Sequence, residues 1–141
     1  SSPAGPQTNT FQIALVACGI ANGGTIMKPY LVESTNNANG EISYTAKPKT
    51  YKNAVSKEVA DRVLECMKGV VKEGTATGAS VPGVTVAGKT GTAENAGREA
   101  DSWFIGIADA DGKKCCGCIG VRASWRGSGD FAGQAGDYGC S

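Results

Sequence analysis

Val84-Thr85-Val86-Ala87-Gly88-Lys89-Thr90-Gly91-Thr92 is followed, after a polar stretch, by Ser102-Trp103-Phe104-Ile105-Gly106-Ile107-Ala108. Both runs are rich in β-branched, aromatic and small residues, and neither has a helical period, so both read as strands. The turn cluster Asn95 to Arg98, with Gly97, makes the connection short, and a short connection means an antiparallel pair. Asp109 to Gly112 forms a second tight turn, after which a hairpin partner for Ser102–Ala108 is expected. Lys114 to Arg122 reads as a poor one, with Ile119 and Val121 its only aliphatics.

Upstream of the strands lies the clearest period in the chain. Val59, Val63, Leu64, Met67, Val70 and Val71 recur at helical spacing, Ser56 can cap the start, Glu58 suits the positive end, and Gly74 stops the helix. This stripe is expected to be a core face. Gly74-Thr75-Ala76-Thr77-Gly78 and Val81-Pro82-Gly83 then read as loop and turn. Earlier still, Asn9 and Gln12 have capping-box spacing before Phe11, Leu15 and Ile20, and Gly23-Gly24 supply a left-handed stop. That first helix is apolar nearly all round, which implies burial. Thr25 to Val32 reads as an edge strand or connector because it contains Pro29. Asn36, Asn37, Asn39 and Gly40 form a turn cluster, Glu41 to Thr45 a short strand, and the two strand pieces are expected to form a hairpin.

Composition excludes several function classes. The chain has 141 residues, 14 Lys and Arg against 13 Asp and Glu, and no histidine. A formal charge of +1 argues against a nucleic-acid partner. The lack of histidine removes the Ser-His-Asp triad and every His-ligated zinc site. Only 24 residues are Leu, Ile, Val or Phe while 21 are glycine, a thin core whose near-neutral charge still argues for folding. The longest apolar stretch, Phe11 to Ala21, is about half the ~20 residues of a membrane span. No signal peptide is visible, so any anchor is expected upstream, and a chain beginning Ser-Ser-Pro without Met reads as a fragment.

The chemistry-bearing motif is Lys89-Thr90-Gly91-Thr92. Alternation puts Lys89 and Gly91 on one face of the strand, with Thr90 and Thr92 on the other. Gly91 has no side chain, so a ligand's backbone can lie against the strand as an added neighbour. A lysine cation with nearby hydroxyls is what a terminal carboxylate needs. A Lys-Thr-Gly tripeptide alone has a plainer reading as a charged strand edge.

Lys-Thr-Gly joins Ser-x-x-Lys and Ser-Asp-Asn in the signature of penicillin-binding proteins and class A β-lactamases. The runs Phe11–Val16, Ile20–Thr25, Met27–Val32, Gly69–Val71, Glu73–Thr75, Pro82–Val84, Ala87–Glu94 and Trp103–Gly106 occur in an order that resembles the penicillin-binding protein transpeptidase family. The resemblance runs from about Phe11 to Asp111. It implies an α/β (α+β) fold, an antiparallel sheet flanked by helices, as part of the penicillin-binding/β-lactamase-like transpeptidase fold. It also implies a serine D,D-transpeptidase domain that cross-links peptidoglycan by acyl transfer, without cofactor or metal. Lys89, Thr90 and Thr92 would bind the carboxylate of a D-Ala-D-Ala stem peptide or a β-lactam lying along the strand at Gly91, the Thr92 N–H would help form the oxyanion hole, and Gly74–Gly78 would border the groove. The parent protein is then expected at the extracytoplasmic face of the bacterial inner membrane, anchored upstream.

The chain also departs from the family. No serine has a lysine three residues on, so the nucleophilic serine and its lysine are absent from residues 1–141. Ser34-Thr35-Asn36 matches Ser-x-Asn formally but lies after the first helix, where the family's copy does not. Residues 1–10 lack the family's glycine turn. The upstream half of the domain, carrying Ser-x-x-Lys, is therefore an expected partner. Residues 1–113 read as the C-terminal part of the domain and 114–141 as an atypical Cys/Gly-rich tail, with four of the six cysteines and seven of the 21 glycines. Cys115-Cys116-Gly117-Cys118 replaces the expected strand, and a reading-frame shift is one origin. A Cys₄ metal set with Cys140 lacks the usual C-x₂-C spacing. Cys18 and Cys66 read as buried fillers, with a disulfide between them left open. Trp103 and Phe104 read as core and groove wall, and Glu94, Arg98, Glu99 and Asp101 as a solvated loop. Two other readings remain: a non-catalytic peptidoglycan- or β-lactam-binding module or degenerate fragment, and a β-lactamase relative, which the Ala14–Pro29 region disfavours.

Overall fold

The structure, a computed structural model, describes residues 8–95 and 98–121. Helix α1 (Thr10–Ala21) starts with a capping box: the Gln12 N–H donates to the Asn9 side chain at 2.9 Å, and the Asn9 N–H to the Gln12 side chain at 3.1 Å. Both orphan donors are satisfied locally. Gly23 and Gly24, at φ of +62° and +91°, end the helix. A Cβ on Gly24 would stand 2.2 Å from the Val55 carbonyl oxygen, so the turn depends on glycine. Helix α2 (Lys57–Glu73) is capped by the Ser56 hydroxyl, which accepts from the Val59 N–H at 3.3 Å.

The strands form three antiparallel sheets. β1 (Thr25–Met27) pairs with β4 (Thr50–Asn53), β2 (Ser34–Asn36) pairs with β3 (Ile42–Thr45), and β5 (Thr85–Asn95), β6 (Arg98–Ala110) and β7 (Lys113–Val121) form a sheet in that order. The expected hairpin between Thr25–Val32 and Glu41–Thr45 is corrected. The first strand ends at Met27, before Pro29, and takes β4 as its partner. A separate piece, Ser34–Asn36, closes on Ile42–Thr45 around the asparagine turn. β4 carried no clear sequence signal because it is short and exposed at every position. The Lys114–Arg122 expectation is also corrected. β7 is a full third strand, registered on β6 from Ser102 opposite Val121 to Ala110 opposite Lys113, and Cys115, Cys116 and Cys118 are part of it. The Asp109–Gly112 turn forms as expected, with Asp111 and Gly112 at positive φ and the Gly112 N–H donating to the Asp109 carboxylate at 3.0 Å. The Asn95–Arg98 turn lies at residues 96–97, and the later tail with Cys140 beyond 121, outside the described residues.

The core lies between the helices and one face of the β5–β6–β7 sheet. Ala17 and Ala21 of α1, Met67 of α2, Ala87 of β5 and Ile107 of β6 are buried together, with Ile20, Leu64, Ile105 and Cys116 packed around them. The α2 face differs in phase from the expected stripe. Ala60, Leu64, Met67 and Val71 turn inward, while Val59 and Val63 are exposed. Small Ala60 occupies a fully buried position, so aliphatic periodicity alone misplaced the face. Cys66 is exposed on α2, not buried, and Cys18 meets Cys116 rather than Cys66. Phe11 and Val16 of α1 are exposed, a correction to the all-round burial read from its composition. Among the described residues no helix is long and apolar enough to cross a membrane.

Candidate active-site strand

The order β5-β6-β7 leaves β5 at the edge of its sheet. An edge strand keeps a row of N–H and C=O groups free for an added chain. Register places Lys89 opposite Ile105, Thr90 opposite Phe104, Gly91 opposite Trp103 and Thr92 opposite Ser102. Lys89 and Gly91 thus share the parity of Ala87 and Ile105, the helix-covered face, and Thr90 and Thr92 share that of Phe104. Lys89, Gly91 and Thr92 are exposed and Thr90 is half-buried. All four motif residues therefore fall on one accessible segment, with their side chains alternating across it.

Two hydrogen bonds organise the segment. The Lys89 Nζ donates to the Thr90 carbonyl oxygen at 2.7 Å, which folds the long side chain back along its own strand. The Thr90 and Thr75 hydroxyls lie 2.8 Å apart, which joins the strand to the loop after α2. Thr75 is the residue whose contact sequence reasoning did not single out. Its signals were membership of the Gly74–Gly78 loop expected along the groove and of the family-like run Glu73–Thr75. That loop tightens into one 3₁₀ turn over Thr77–Ala79.

Aromatic rings fill the space left by glycine in these strands. Gly88 faces Gly106 across the ladder, and Phe104 lies over both: a Cβ on Gly88 would fall 2.5 Å from the ring, and one on Gly106 2.8 Å from it. Trp103 covers Gly120 on the opposite face at the same kind of distance, 2.8 Å. Both rings are half-buried. Ser34-Thr35-Asn36 belongs to the β2–β3 hairpin, where the Thr35 and Ser43 hydroxyls lie 3.0 Å apart. A cleft of about 280 Å³ lined by Lys28, Tyr30, Tyr44, Lys47 and Lys49 includes no residue of β5.

Comparison with known proteins bears directly on this arrangement. The family model described as "Penicillin binding protein transpeptidase domain" matches residues 1–134. The chain is 38% identical over 105 residues to the peptidoglycan D,D-transpeptidase PbpA of Mycobacterium tuberculosis, covering 72% of this chain and 21% of that protein. It is 32% identical over 105 residues to penicillin-binding protein 2a of Streptococcus pneumoniae, covering 72% of this chain and 14% of that one. Among solved structures, the D,D-transpeptidase domain of a peptidoglycan glycosyltransferase from Eggerthella lenta superposes with a TM-score of 0.79 at 50% identity, over 86% of this chain and 29% of that one. The imipenem acyl-enzyme complex of penicillin-binding protein A from M. tuberculosis does so with a TM-score of 0.70 at 37% identity, over 77% and 25%. The chain thus spans between about a seventh and a fifth of the length of these curated relatives. With the family model covering nearly all of its length and the mixed α/β fold shared, this chain belongs to the penicillin-binding protein transpeptidase domain family.

Proposed function

We propose that this chain is the carboxylate-binding part of a peptidoglycan D,D-transpeptidase, whose attacking serine lies outside residues 1–141. Lys89, Thr90 and Thr92 receive the terminal carboxylate of a D-Ala-D-Ala stem peptide or of a β-lactam. The peptide backbone adds to the sheet along Gly91. The observation that carries this reading is the edge position of β5 among the described strands, with the Lys-Thr-Gly-Thr segment accessible on it.

The chemistry follows from the local geometry. The Lys89 ammonium rests on a neutral carbonyl, and an arriving carboxylate replaces that bond with one in which both partners are charged. Residues two apart on a strand turn their backbone groups to the same edge. The Thr92 N–H therefore stands in phase with the Thr90 carbonyl that the lysine reaches, suited to an oxyanion developing during acyl transfer. The Thr75–Thr90 contact fixes the wall of the groove.

The partner is the upstream half of the domain with Ser-x-x-Lys, and the site of action is the extracytoplasmic face of the inner membrane, with the anchor upstream. Residues 114–141 remain an atypical tail in this reading. It begins within β7, so its first residues keep a strand's backbone while their side chains are cysteine and glycine. A family-like continuation in another frame of the encoding DNA supports a frame-shift origin, and its absence removes that origin.

The lack of Ser-x-x-Lys within the chain favours a second reading, a non-catalytic peptidoglycan- or β-lactam-binding module. Intact mass after β-lactam exposure separates the two. The 141-residue chain alone gains no drug mass in either case. Joined to a family segment carrying Ser-x-x-Lys, it is acylated if it supplies a working carboxylate site. Failure of a folded reconstituted domain to acylate leaves the binding module.

A further inference from the structure

We propose that Cys18 and Cys116 form a redox-modifiable pair that closes into a disulfide linking α1 to β7. The two side chains lie near each other where α1 packs on β7, Cys116 against the cluster that holds Ala17 and Ala21 on either side of Cys18, and both are half-buried. Cys116 packs against the core beside Ile107, its ladder partner. A second contact holds the same two elements together: the Lys114 Nζ donates to the Ala21 carbonyl oxygen at 2.9 Å. The cation sits at the negative end of α1, a favourable placement that keeps β7 aligned with the helix. Alternation sends Cys115 to the other face of the sheet, and Cys118 lies two positions along, opposite Ile105. Cys116 is thus the strand cysteine whose side chain meets Cys18.

The two thiols are unequal, which sets the order of events. The hydrogen bond from the Cys116 thiol pulls Cys18 down to about 7, while that same bond and burial push Cys116 far up. Cys18 is the nucleophile. Its thiolate attacks one sulfur of a small-molecule disulfide such as oxidised glutathione, breaking the S–S bond and releasing one thiolate. Cys116 then loses its proton and attacks the Cys18 sulfur of the mixed disulfide, and the second small thiolate leaves. Two protein thiols become one disulfide and one small disulfide becomes two thiols.

The test treats the polypeptide carrying residues 1–141 with oxidised glutathione, alkylates the remaining thiols and maps the linked peptides, once in buffer and once in denaturant. The native sample is expected to give chiefly a Cys18–Cys116 link, present in C66A and lost in C18A and C116A. The denatured sample is expected to favour short links among Cys115, Cys116 and Cys118, because closing a small loop costs less entropy. The oxidised native form should melt roughly 5–15 °C higher, since the bridge spans most of the described chain. Three results overturn the proposal: native and denatured maps that agree, a native Cys18 left alkylatable while other cysteines pair, or no disulfide at all. Comparing the wild-type maps keeps the test valid even where a cysteine variant fails to fold.

Discussion

Lys89 acts through one ammonium group, so its contribution is measurable by a single truncation. In a reconstituted domain carrying Ser-x-x-Lys, Lys89→Ala is expected to slow β-lactam acylation about 10- to 100-fold, the scale of one charge-assisted hydrogen bond of roughly 1.5–3 kcal/mol. Stopped-flow or mass-resolved acylation rates check this, and an unchanged rate removes Lys89 from the carboxylate site. Gly88, its neighbour, has a packing role instead. Alanine there puts a methyl group 2.5 Å from the Phe104 ring with the Ile105 carbonyl oxygen 3.1 Å away. Gly88→Ala is expected to cost about 1–3 kcal/mol as overpacking, read from denaturant unfolding. The motif drew its meaning from the ordered family-like runs around it, since the tripeptide alone has a plainer reading as a charged strand edge. The Phe104 and Trp103 coverage of glycines was not legible in the sequence, because it depends on which residues lie opposite each other in the ladder.

At the scale of elements, local signals and long-range pairing separate cleanly. The caps of both helices were readable, since Asn9 and Ser56 accept from backbone N–H groups three residues on and Gln12 accepts from the Asn9 N–H three residues back. Asn9→Ala is accordingly expected to cost roughly 1 kcal/mol, seen as reduced helix content or a lower unfolding midpoint. An unchanged midpoint means that α1 is held by packing alone. The β5–β6 pairing was also readable, because a short connection fixes its direction. The partners of β1 and β3 were not. Both pieces are very short: β1 has three residues, with Thr25 and Ile26 half-buried, and β3 is exposed at every position, so neither carries enough of a hydrophobic face to specify its partner or register. β7 was misjudged for a related reason. Its cysteines and glycines are poor strand formers, yet Ile107 and Ile105 of β6 present a ladder that burial completes.

Among the described residues, many large apolar side chains lie exposed. Phe11, Val16, Leu31, Val59 and Val63 are exposed, and every residue of the main buried cluster lies on one side of the β5–β6–β7 sheet. A chain spanning about a fifth of its relatives' length or less is expected to gain stability when joined to the upstream half of the domain. Co-expression with that half should raise the melting temperature of this segment above that of the chain alone, measured by segment-resolved hydrogen exchange. No change in protection would show that these faces need no partner. Acylation is expected only in the joined form, because residues 1–141 supply no Ser-x-x-Lys.

The sequence by itself determined the two helices with their caps, the antiparallel β5–β6 pair and the family. Each of these rests on contacts between near neighbours in the chain or on an ordered set of motifs. Tertiary structure alone decided that Thr75 meets Thr90, that Lys113–Val121 becomes a strand, and that Cys18 faces Cys116. Those outcomes join residues far apart in sequence, and only burial of apolar faces against one another selects among the pairings that local propensity leaves open.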